Sequence, residues 1–137
     1  MTEMPLTGRA RPDRTPHTLD EWKALGGYEA VERGLRELSP ERVLDMVDEA
    51  ALNGRGGAGF PAAKKWRFMP KPGAAPGDGP SYFIVNGDEM EPGAFKDRLL
   101  LEALPHQLIE GAILAAYATH CDEVVILIRD AYRDAIR

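Results

Sequence analysis

Ser81-Tyr82-Phe83-Ile84-Val85-Asn86 is a short apolar run, rich in aromatic and β-branched residues and free of charge, of the kind buried on both faces in a parallel sheet. Glu123 to Arg129, with Val124-Val125-Ile126-Leu127-Ile128 at its centre, is a second. Between them Pro105 opens a helical stretch in which Ile109, Ala112, Ile113, Ala116 and Tyr117 form a wide apolar stripe. Strand, helix and strand in that order predict one right-handed βαβ crossover, because parallel neighbours need a long connection and strand twist selects its hand. The fold class is therefore α/β.

Helices precede this unit. Leu19, Trp22 and Leu25 mark a short one closed by Gly26-Gly27, and Tyr28, Val31, Leu35 and Leu38 recur at helical spacing in the next. Ser39 before Pro40 supplies an N-cap and a first-turn proline for a third, whose apolar face is Val43, Leu44, Val47 and Ala51. Residues 1–17, with Pro5, Pro12, Pro16 and three arginines but no periodicity, read as a flexible arm or a strap on a partner, so the ordered part is expected over 18–137. Pro70 to Pro80 reads as a surface connection. Two strands are few for a finished sheet, and the chain stops at Arg137 inside a fresh helical pattern of Ala131, Tyr132 and Ile136. The expectation is N-terminal helices followed by part of a Rossmann-like parallel sheet, incomplete in this chain and finished by further sequence or another polypeptide.

The third helix leads into Gly54-Arg55-Gly56-Gly57-Ala58-Gly59-Phe60. Glycine tolerates positive φ and close approach, so four glycines in six residues can turn several N–H groups into one concavity that binds an anion. A helix after Phe60-Pro61, carrying Lys64, Lys65, Trp66 and Phe68, would add free N–H groups, while Arg55 with Lys64 or Lys65 would add positive charge. Gly54, Gly56 and Gly59 satisfy G-x-G-x-x-G, but the loop follows a helix rather than a strand, and Phe60-Pro61 stands where a Walker loop needs Lys and Ser or Thr. An idle flexible loop would carry Ser and Asn filler instead of an embedded Arg, Ala and Phe. A dedicated phosphate cradle is the expectation.

Asn86-Gly87-Asp88-Glu89-Met90-Glu91-Pro92-Gly93 follows the first strand directly, where ligands of open α/β sheets sit. Asn86 offers a donor and an acceptor, and Asp88, Glu89 and Glu91 offer acceptors suited to ribityl or ribose hydroxyls. A solvated acidic turn is the plain alternative, and a divalent-metal site a second, since three carboxylates within four positions offer hard oxygen ligands.

The chain has 137 residues, 44% of them hydrophobic, and a formal charge of −5, which speaks against nucleic acid or an anionic membrane as the main partner. The single Cys121 rules out an internal disulfide framework and cannot alone hold zinc or an iron–sulfur cluster. No stretch approaches the roughly 20 apolar residues of a spanning helix, and the N-terminus lacks an apolar signal core, so a cytoplasmic product is expected. His17, His106 and His120 lie apart from the candidate ligands, and no nucleophile and histidine pair suggests a hydrolase.

The segments NGRGGAGFPAAKKW, YFIVNGDEMEPGAFKDR and PHQLIEGAILAAYA, with GGYEAVERGL and SPERVLDMV, resemble the flavin-binding subunit of respiratory complex I, the NADH-quinone oxidoreductase F subunit. The diaphorase subunits of NAD-reducing hydrogenases and NAD-dependent formate dehydrogenases share them, and the resemblance runs from about Leu19 onward. It implies a Rossmann-like domain that holds FMN non-covalently, accepts hydride from NADH and passes electrons to iron–sulfur clusters. Flavin contacts would fall on Gly54, Arg55, Gly56, Gly57, Ala58, Gly59, Phe60, Lys65, Asn86, Asp88 and Glu89. NADH contacts would fall on Phe60, Phe68 and Glu91, with the rings against adenine and Glu91 at the nicotinamide end as the catalytic carboxylate. Partners would be other subunits of an NADH-oxidising complex, above all an iron–sulfur subunit, peripheral to the membrane in complex I.

The chain departs from the family at Asn53, usually Arg, at Ala62-Ala63-Lys64, usually Thr-Gly-Leu, and at Gly87 and Met90. In the family a second set of flavin contacts, a ubiquitin-like domain and a helical bundle with cysteines for a [4Fe–4S] cluster follow the position of Arg137. A non-catalytic folding or docking fragment of the same assembly is therefore the competing expectation.

Overall fold

The structure, a computed structural model, describes residues 4, 6–71 and 79–136; most of the expected Pro/Gly connection, residues 72–78, lies outside them, as do residues 1–3 and 5 of the arm. In chain order the elements are α1 (Leu19–Ala24), α2 (Glu29–Glu37), α3 (Pro40–Glu49), α4 (Ala62–Trp66), β1 (Tyr82–Gly87), α5 (Lys96–Ala103), α6 (Pro105–Thr119), β2 (Glu123–Ile128) and α7 (Arg133–Ile136). β1 and β2 pair in a two-stranded parallel sheet, connected through α5 and α6, and the α/β class stands.

Local chemistry sets the helix ends. The Ser39 hydroxyl accepts the Arg42 amide at 3.2 Å and Pro40 begins α3, as its sequence predicts. At the other end the Ala51 amide donates to the Asp48 carbonyl (2.8 Å) and the Leu52 amide to the Val47 carbonyl (3.4 Å). That paired stop requires a left-handed residue, and Ala51 takes it with φ of 49°. α1 starts with a reciprocal cap between Thr18 and Glu21 and ends at Gly26, whose φ is 81°. A side chain at Gly27 would overlap the Trp22 ring, which explains the second glycine.

The chain forms two compact units. One comprises Met1–Glu29, Ile84–Gly111 and Val125–Arg137. Its core gathers Trp22, Ala103 and Leu104, with Ala10, Tyr28, Leu99 and Leu100 against them. The Trp22 indole N–H donates to the Glu110 carboxylate, which satisfies the one polar atom this large ring buries. Residues 6–17 run as turns whose contacts return to this unit: Gln107 donates to the Leu6 carbonyl (3.3 Å), the His17 ring meets the Arg9 carbonyl (2.9 Å), and Arg11 pairs with Glu21 (2.7 Å). The other unit comprises Ala30–Phe83 and Ala112–Val124, with Val43, Leu44 and Ala118 buried among Leu38, Trp66 and Tyr117. There α3 packs on α4, Tyr117 donates to the Leu38 carbonyl (2.7 Å), and Gly34 lets Leu114 approach.

Four details differ from the sequence reading, the first being that α3 ends at Glu49 and leaves Ala51 beyond its apolar face. Lys96–Ala103 forms a helix of its own, α5, which the clumped Leu99-Leu100-Leu101 does not advertise. α4 stops at Trp66, leaving Phe68 in the turn beyond it. The strands are not covered on both faces: Ile84 is 62% exposed and Leu127 50%. An uninterrupted apolar strand signals a place for cover, and in this chain nothing among the described residues provides it.

Candidate functional site

The glycine loop is pinched at its base. Asn53 and Pro61 form an antiparallel bridge, the Gly54 amide donates to the Phe60 carbonyl (2.8 Å), and the Ala62 amide donates to the Leu52 carbonyl (2.8 Å). Between these ties the amides of residues 55–60 donate to no described residue. Gly57 and Gly59 take positive φ of 106° and 61°, and a Cβ built on Gly56, Gly57 or Gly59 meets nothing within 4 Å. Backbone donors without partners around open space, in a conformation only glycine adopts without strain, are the features an anion cradle needs. The following helix contributes less than its sequence promises, since α4 has five residues and its Ala62 amide is already engaged. Arg55, Lys64 and Lys65 are exposed and form no ion pair with a described residue, so the loop carries positive charge that no described carboxylate offsets.

Phe60 and Phe68 belong to the same unit and lie 42% and 69% exposed, their ring centroids 6.3 Å apart at 45°. Packing does not account for them. Trp66, close by in sequence, shows what packing looks like, with its ring edge-on to Phe83 at 5.8 Å within the core. The Lys64 ammonium lies 5.8 Å from the Phe60 centroid.

The acidic turn lies in the other unit, at the carboxyl end of β1. Gly87 is buried where a Cβ would come within 3.0 Å of Leu101 and of the Leu127 carbonyl, so the strand ends tightly against its neighbours. Asn86 folds back to accept the Asp88 amide (3.0 Å), which commits its oxygen and leaves its NH₂. Asp88 and Glu91 are exposed. Glu89 points inward, 6% exposed, accepting the amides of Asp97 (3.3 Å) and Arg98 (3.5 Å) at the start of α5 and the Tyr132 hydroxyl (3.1 Å), with Lys96 at 3.6 Å. Its own carbonyl accepts from Arg129 (2.6 Å). Burial pushes its carboxyl up, but the Asp97 amide, the Tyr132 hydroxyl, the Arg98 amide and the Lys96 charge outweigh burial and hold it below the ordinary glutamate value. With one carboxylate turned in and two turned out, no group of three metal-ligating side chains converges among the described residues.

Sequence reasoning finds both loops but misses Tyr132, Arg129 and Lys96, which set the acidic turn. Their partners are up to 43 residues away, and nothing local announces the pairing.

The Nuo51 FMN-binding domain family matches residues 47–137, which include both loops. The chain belongs to that family. Family members similar to it include the NADH-quinone oxidoreductase F subunit of Aquifex aeolicus (strain VF5), 49% identical over 96% of this chain and 31% of that protein. Its counterpart in Escherichia coli (strain K12) is 44% identical over 96% of this chain and 29% of that protein. Among solved structures, an air-oxidised NAD⁺-reducing [NiFe]-hydrogenase superposes with a TM-score of 0.68 and 37% identity, covering 90% of this chain and 21% of that one. The chain thus spans about 30% of the length of the curated relatives named here. No single helix among the described residues is long and apolar enough to cross a membrane.

Proposed function

We propose that this chain is part of the flavin- and dinucleotide-binding region of an NADH-oxidising subunit. The observation that carries the reading is the glycine loop, whose unpartnered amides over residues 55–60 and open space at Gly56, Gly57 and Gly59 suit the phosphate of FMN. Lys65 and Arg55 add charge, and the Asn86 NH₂ and the exposed Asp88 carboxylate suit the polar groups of the flavin. Glu89 bears on the flavin through the turn it holds. Phe60 and Phe68 offer adenine a stacking surface, and the exposed Glu91 offers a negative charge to the nicotinamide end of NADH. When bound, FMN supplies the two-electron acceptor for hydride and the one-electron donor to iron–sulfur clusters. The protein groups position the partners; none has to move a proton. As hydride leaves, the nicotinamide gains positive charge, and a carboxylate about 5 Å away in an effective dielectric near 20 favours that change by roughly 3 kcal/mol. The partner that would accept the electrons is an iron–sulfur subunit of a cytoplasmic assembly, peripheral to the membrane where the final acceptor is a quinone.

The test is flavin retention. Purified with its partner subunits, the chain is expected to carry flavin absorbance near one equivalent, and Gly57→Ala, which strains a φ of 106° and puts a methyl into the open cradle, to lose at least tenfold in FMN affinity. Equal affinity in the variant would remove the loop from the site. The exposed sheet residues favour a second reading, a folding or docking fragment, which predicts a colourless chain recovered in complex with a partner.

A further inference from the structure

We propose that Arg129 is a positioning residue for NADH oxidation: it holds the Glu89 carbonyl from the end of β2, and so sets the course of the chain that presents Glu91. The inference rests on the reading of Glu91 given above and deepens it by naming what places that charge. β1 and β2 are parallel neighbours, so their carboxyl ends lie side by side, and the residue after β2 falls beside the turn after β1. The Arg129 guanidinium donates there to the Glu89 carbonyl at 2.6 Å, a short charge-assisted bond. The peptide group is planar, so fixing this carbonyl fixes the plane that carries the Met90 nitrogen, and Met90 alone separates that plane from Glu91. Little else holds the chain there. The Met90 and Glu91 side chains are exposed, their amides donate to no described residue, and the next tie is the Ala94 amide on the Glu91 carbonyl (3.1 Å). The Glu89 carboxylate is a separate anchor, bound by the α5 amides and Tyr132, so it secures the side chain while Arg129 secures the main chain. An exposed carboxylate on a loose loop spreads its charge over many positions, and a tie on each side confines it.

The test combines turnover in the assembled enzyme with the dynamics of the chain itself. Arg129→Met is expected to slow NADH oxidation about tenfold, within the loss that a misplacement of about 1 Å can cause, and Arg129→Lys, which keeps a charged donor, to recover most of it. If Arg129 acts through Glu91 the losses do not add: in a Glu91→Gln enzyme, Arg129→Met is expected to cost less than about twofold more. General damage to the fold would cost both enzymes equally. In the chain without cofactor, NMR order parameters of the Met90 and Glu91 amides are expected to fall in Arg129→Met and to return in Arg129→Lys. Unchanged order parameters, or a tenfold loss that persists beside Glu91→Gln, would overturn the inference and leave the role of Glu91 standing. Wild-type turnover by Glu91→Gln would instead overturn the reading of Glu91, and the inference with it.

Discussion

Glu89 and Glu91 are two residues apart and have opposite environments. Glu89 is buried and held by α5 and Tyr132, whereas Glu91 is exposed. The same substitution is therefore expected to separate stability from turnover. Glu89→Gln keeps the shape but weakens the charge-assisted bonds, at a cost of about 1–3 kcal/mol read as a lower denaturant midpoint. Because the folded state holds this carboxyl below its unfolded value, its contribution is complete above about pH 4.3 and is lost as pH falls through the folded value. The wild-type chain should therefore lose its stability advantage over Glu89→Gln on acidification. Glu91→Gln is expected to leave the midpoint within about 0.5 kcal/mol and, in the assembled enzyme, to slow NADH oxidation roughly a hundredfold. Unchanged turnover would remove Glu91 from the chemistry. The sequence announces both as acceptors and is silent on which way each points, because that choice is made by Arg129 and Tyr132 at the far end of the chain.

At the level of elements, what is legible in the sequence is local. Ser39-Pro40 names the start of α3 because a hydroxyl and a preset φ act on their own helix, and the glycine loop is visible because the conformation it adopts requires glycine. α5 is hidden, since three consecutive leucines give no period and its start is capped by Glu89 from outside the segment. The stop of α3 is hidden for a related reason: Ala51 occupies a left-handed position with no residue that advertises it. That misfit supports a prediction. Ala51→Gly relieves about 1 kcal/mol of backbone strain, less part of the entropy that glycine adds to the unfolded chain, and should raise the melting temperature by a few degrees. A lower melting temperature would mean that the alanine methyl packs usefully.

For the molecule as a whole, the parallel pair joined by helix agrees with the sequence while its burial does not, because pairing is encoded in the strands and cover is supplied by whatever lies against them. Ile84, Val125 and Leu127 are 62%, 43% and 50% exposed, an apolar display that folded domains seldom leave to solvent. The folded chain is expected to bind the dye ANS, and Ile84→Thr with Leu127→Thr to reduce that binding without altering the far-ultraviolet circular dichroism. Dye binding unchanged in the double variant would place the exposed apolar surface elsewhere.

The two tryptophans fall one to each compact unit, Trp22 with the acidic turn and Trp66 with the glycine loop. Nature has in effect labelled the halves separately. With phenylalanine in place of one indole or the other, emission reports on a single half, and the quenching of each by an incoming flavin can be followed against time. The order in which a cofactor engages the chain thereby becomes an optical measurement that needs no added probe.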